Sequence, residues 1–142
     1  MSKKLINPKE LFDSSVSGYS QAVIDTETGL LFISGQVDWN QQYETTEKSV
    51  EGQTRRALNN LKVALQAAGS SVEQLLQVRA YVRGELGEHM NIIAPIFSEF
   101  LGESRPALTG IGVASLASPE ILVEIEAVAS VKELKHESRP QL

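Results

Sequence analysis

The sequence predicts an α+β fold in which one sheet carries two helices on a single face. Two observations predict it. Apolar and β-branched residues cluster in short stretches toward both ends of the chain. In two longer stretches between them, apolar residues recur at helical spacings of three and four. The resulting order is strand, hairpin, helix, strand, helix and two closing strands. No repeat at a solenoid period interrupts it. With no low-complexity linker, residues 1–131 read as a single domain and 132–142 as a charged tail.

The elements follow in order. A short strand is expected at Leu5–Ile6, stopped by Asn7-Pro8. Ala22–Ile24 and Leu30–Gly35 form a hairpin whose turn is Thr26-Glu27-Thr28-Gly29. Val37–Tyr43 reads as a polar loop, with Trp39 and Tyr43 packed down or lining a surface. Leu58, Leu61, Leu65 and Ala68 make one apolar stripe, which predicts a helix from about Thr46 to Ala68. Thr45, Thr46 or Ser49 can cap its start, and Gly69 suits the left-handed position beyond its end. Leu75–Val82 is expected as a strand with Leu76, Val78, Ala80 and Val82 on one face. The second helix is expected over Glu88–Leu101, with Met90, Ile93, Phe97 and Phe100 inward. Pro95 lacks an amide donor, so this helix either starts near Asn91 or is kinked. Pro106–Val113 and Leu122–Val131 close the chain, and Lys132–His136 is a candidate continuation of the last element.

At 142 residues the chain can bury a core without staples. A net charge of −5 disfavours a broad phosphate-binding face. There is no cysteine, so disulfides, thiolate metal sites and a Cys nucleophile are impossible. His89 and His136 lack ligand-type spacing to carboxylates, and no metal site is expected. "MSKKLINPKE" lacks the apolar core of a secretory signal, and no apolar run approaches a membrane span. The expectation is a cytoplasmic protein without nucleic-acid or membrane partners. The stretches LLFISGQ and ILVEIEAVAS are too apolar on their second face to sit fully in water, which argues for an oligomer.

The strand VEIEAVAS carries the most chemistry. Glu124 and Glu126 share one face, roughly 6–7 Å apart along the strand. The bland reading makes them solvated carboxylates or partners of Arg79 and Arg83. The functional reading makes one of them a desolvated carboxylate that handles a water proton. Arg55-Arg56 reads as a solvated face or ion pair. No nucleophile elbow or phosphate loop is present.

Several stretches together resemble the reactive-intermediate deaminase family (Rid, or YjgF). They are SGQ at 34–36, QTRRALNNLKVALQAAGSS at 53–71, VRAYV at 78–82, RPA at 105–107, then GVASL and VEIEA. The resemblance implies a chorismate-mutase-like fold, with a single mixed sheet under two helices. It also implies a homotrimer whose helices lie outside and whose clefts between subunits hold small molecules. The family's activity is hydrolysis of reactive enamines and imines to a carbonyl product and ammonia, with no cofactor. By the same resemblance Glu124 is the water-activating carboxylate, and Tyr19, Ser34 and Gly35 line the pocket.

One family residue is replaced. An arginine that grips the substrate carboxylate follows the Pro-Ala pair, and here that position is Leu108. Arg105 is no substitute, since it lies upstream and strand alternation sends it the other way; a bulge at Gly110 or Gly112 could re-aim its neighbours. A hydrogen bond to a charged group contributes about 1.5–3 kcal/mol, so its loss weakens carboxylate binding by roughly one to two orders of magnitude. The expected function is a divergent hydrolase of less acidic enamines or imines. Glu124 would be catalytic, Leu108 would line the pocket, and backbone amides near Thr109 and Gly110 would steady developing charge. The alternative is a trimer that binds a small molecule without turning it over. Nucleic-acid chemistry is disfavoured by the acidic balance.

Overall fold

The first strand, β1 (Lys3–Ile6), pairs with β2 (Ala22–Asp25), and β2 turns back into β3 (Leu30–Gln36). Next come α1 (Val50–Ala67), β4 (Leu75–Arg83), α2 (Met90–Leu101), β5 (Ala107–Val113) and β6 (Val123–Ser130). The structure is a computed structural model and describes residues 2–131. The proposed continuation through Lys132–His136 lies outside the described residues. The strands form one mixed sheet in the order β1-β2-β3-β6-β4-β5. Only β4 and β5 run parallel, and α2 supplies the crossover that a parallel pair requires. No helix among the described residues is long and apolar enough to cross a membrane.

The α+β reading and both helices on one face agree with the structure. Alternation sends Leu31, Ile33, Val78, Ala80, Val82, Val123, Ile125, Ala127 and Ala129 toward α1 and α2, and all are buried. Leu58, Leu61, Ala64 and Leu65 of α1 complete this core. The turn at 26–29 closes on Gly29, whose φ of +76° suits glycine. Gly69 takes a φ of +77° beyond α1, as its position predicted.

One expectation is narrowed and three need correction. Of the three cap candidates, Ser49 does the work, accepting from Gly52 N at 3.0 Å. The chain at Thr46 is held instead by the buried Asp38, which accepts from the amides of Thr46 and Glu47 and from the Thr46 hydroxyl. In β4, Leu75 points inward and Leu76 outward, because the register with β6 shifts between Leu75 and Gln77. In α2, Met90 is exposed and Ile96 is buried with Ile93 and Phe97. The helix begins at Met90 and carries Pro95 in its interior. Finally, strand alternation does not reach Arg105. Its φ is +51° and β5 begins only at Ala107.

The loop after β3 is packed down. Phe12, Trp39 and Tyr43 form a three-ring cluster, with centroids 4.9–5.3 Å apart. Arg56 reaches Asp38 at 3.4 Å, which ties the loop to α1. Arg55 makes only an exposed pair with Glu51 at 3.7 Å.

Candidate functional site

Glu124 lies on the sheet face opposite the helices. It sits directly across from Tyr81 of β4, as Glu126 does from Arg79. The ladder between β3 and β6 slips between Ile33 and Gln36, so Ser34 and Gly35 form a bulge beside the carboxylate. A β-carbon on Gly35 would collide with the Glu124 carboxyl group. Glycine is therefore the residue that lets the acid fold back against the strand. This bulge, rather than one at Gly110 or Gly112, is the irregularity near the site. The β4–β5 register is continuous from Gln77–Ala107 to Arg83–Val113.

The half-buried position sets the acidity of Glu124. Burial pushes its carboxyl pKa up, and the negative charge of neighbouring Glu126 pushes it further. Glu126 accepts a short hydrogen bond from the Tyr81 hydroxyl. That bond raises the Tyr81 phenol above its ordinary value, with burial adding to the shift. Two carboxylates on one strand thus have different surroundings: one is bonded by a phenol, and the other is half-buried with its pKa raised.

Tyr19 lies on the same side. Burial raises its phenol pKa, with smaller contributions from Tyr43 and Glu124. Tyr19 and Ser34 share a cavity with Ser20, Val23 and Leu5. The Ser34 hydroxyl donates to the Ser20 carbonyl at 2.7 Å, which ties the bulge to the segment that carries Tyr19. Ser14 donates to the Tyr19 carbonyl at 2.7 Å and fixes the same segment from below.

The sequence-derived residues fall into two groups. Tyr19, Ser34, Gly35 and Glu124 come together. Leu108 and Gly110 do not join them within one chain. They pair in register with Val78 and Ala80, so they face the helix side, whereas Glu124 faces away. Thr109 pairs with Arg79 and shares the sheet face of Glu124, two strands away.

Three contributing residues were not singled out by the sequence reading. Tyr81 is one, visible only through its pairing with Glu124. Asp38 is another. The third is Gln53, a buried polar residue of α1. Its side-chain amide donates to the carbonyls of Glu47 and Glu120, and its oxygen accepts from Leu122 N at 2.7 Å. This clamp sets the entry of β6 and thereby the place of Glu124. A glutamine within an apolar helical stripe was the available signal. Arg83, considered as a carboxylate partner, instead donates to the carbonyls of Ile121 and Ser118.

The family model described as Endoribonuclease L-PSP matches residues 12–131. A RutC family protein of Pyrococcus horikoshii is 34% identical over 118 residues, 80% of this chain and 87% of its own length. RutC family protein YjgH of Escherichia coli is 30% identical, covering 81% and 84%. The solved structure of YyfA from Yersinia pestis, described as a conserved Rid family protein of unknown function, superposes with a TM-score of 0.82. It has 27% identity and covers 91% of this chain and 99% of that one. Strand order, helix placement and these matches along most of the chain agree, and the chain belongs to the YjgF/Rid family.

Proposed function

We propose that this protein is a divergent Rid-family hydrolase of small reactive enamines and imines that lack a carboxylate. The observation that carries the reading is Glu124: a half-buried acid with raised pKa, held against Gly35 and beside Tyr19. Its carboxylate takes a proton from water as the oxygen adds to the C=N carbon. That proton, returned to nitrogen, gives the neutral carbinolamine; its hydroxyl proton then passes through the same carboxylate to nitrogen, the C–N bond breaks, and ammonia leaves as the C=O bond forms. The sum is one imine and one water giving one carbonyl compound and one ammonia. An enamine enters the same path after protonation at carbon.

Leu108 separates this reading from the family's imino-acid chemistry. It offers no donor to a carboxylate, and it lies on the sheet face opposite Glu124. A ligand touching both would have to lie between two copies of the chain. The inter-subunit cleft of a homotrimer fits that requirement.

Ammonia release is the direct test. The expected result is little release from enzymatically generated 2-aminoacrylate and faster release from neutral ketimines. Glu124→Gln should abolish the latter. Equal turnover of 2-aminoacrylate beside an arginine-bearing relative would overturn the substrate assignment.

The missing arginine also favours a second reading, a trimer that holds a small molecule without converting it. Thermal stabilisation by neutral carbonyl compounds, with no product from the corresponding imines, would select it. The match to a family described as endoribonuclease does not by itself bring ribonuclease activity to this acidic chain, which carries a net charge of −5.

A further inference from the structure

The groove beside Leu108 has its own chemistry. It lies between β5 and α2, with a cavity volume of about 250 Å³. Ala80 and Val82 of β4 form its floor, Ile93 and Phe97 of α2 one wall, and Leu86 and Leu108 the other sides. Among the described residues, Ser98 is the only one lining it with a polar side chain. Leu108 stays 49% exposed, so it forms a rim rather than a plug. Gly110 leaves room for Leu86 on that side: a β-carbon there would come within 3.1 Å of the Leu86 side chain.

From this lining we infer that the groove is an apolar receptor for one branched-alkyl or phenyl group of a neutral carbonyl compound or its imine. This deepens the hydrolase reading by naming the substrate class, and it rests on that reading only for turnover. Size supports the occupant. An apolar cavity of about 150 Å³ already takes up benzene, so this groove holds one such group and little more. Charge supports it as well. Without a cation among the described residues that line it, the groove penalises an anionic group by desolvation. A polar end is still accommodated at the rim. Among the described residues β5 is the outermost strand, paired only with β4, so its outer edge has backbone N–H groups outside that ladder that can donate to a carbonyl oxygen.

The probes are 4-methyl-2-pentanone and phenylacetone, set against pyruvate, with binding read by calorimetry and by ligand-observed NMR. Both ketones should bind the full-length protein, and pyruvate should bind at least tenfold more weakly. Ala94→Phe, which places a ring at the groove mouth from an exposed helical position, should weaken both ketones at least tenfold. Leu108→Arg should reverse the order in favour of pyruvate.

Ketone binding without turnover of the matching imines would keep the receptor and remove the hydrolase. Turnover of neutral imines that is indifferent to Ala94→Phe would keep the hydrolase and overturn the receptor. Absence of ketone binding, with Ala94→Phe dissociating an oligomer in sedimentation, would overturn it too and assign the groove to a second copy of the chain.

Discussion

At the scale of single residues, the proposed chemistry rests on Glu124. Its pKa is raised in the folded chain, chiefly by burial and then by Glu126. As a base it must be ionised, so the acidic limb of the rate profile should lie above the ordinary glutamate value. The effect on stability has a fixed sign. Folding favours the protonated acid, so that contribution is complete below the unfolded pKa and is lost as pH rises through the folded value. Glu124→Gln should therefore raise the urea midpoint at about pH 7, with the gain fading near about pH 4. An unchanged difference between the two pH values would contradict this origin of the shift. Gly35→Ala should cost about 1–3 kcal/mol, the usual range for forcing an atom into filled space. Adding Glu124→Ala should recover much of that loss, because the colliding group is gone.

At the scale of elements, polar clamps set where the strands begin. Gln53 satisfies two carbonyls and one amide between α1 and the approach to β6. Gln53→Leu keeps the volume but strands these groups, and should destabilise the fold by about 1–3 kcal/mol. Removal of the Ser49 cap in Ser49→Ala should cost about 1 kcal/mol, measurable by denaturant titration. The core stripe of α1 was legible because apolar spacing records a helix face directly. The interior of β4 was half legible. Two leucines in succession, Leu75 and Leu76, do not say which faces inward, and the shift against β6 decides it. Arg105 was misjudged for a related reason: alternation applies only inside a strand, and its positive φ places it before β5.

For the whole molecule, the sheet separates two environments. One face is covered by α1 and α2, apart from the groove beside Leu108. The other presents exposed Phe32 and Leu5 beside Tyr81 and the two glutamates. A face of this composition is suited to burial between copies of the chain. Sedimentation should show an oligomer, and Phe32→Glu should shift it toward monomer while leaving the helix-side core intact. A wild-type chain that sediments as a monomer at micromolar concentration would remove the homotrimer from the proposal. The two halves of the proposed site would then have no way to meet.

The sequence by itself determined the element order, the core stripes, the family resemblance and the missing cation at Leu108. All of these are local or periodic properties, carried by residue type and spacing. Only the tertiary structure decided which residues share a surface. The bulge at Ser34 and Gly35, the pairing of Glu124 with Tyr81 and the polar clamp of Gln53 each join residues distant in the chain. The same holds for Leu108. Its type was readable at once, but the parallel β4–β5 register alone put it on the helix side, across the sheet from the acid. Pairing register is a property of two strands together, and neither strand specifies it alone.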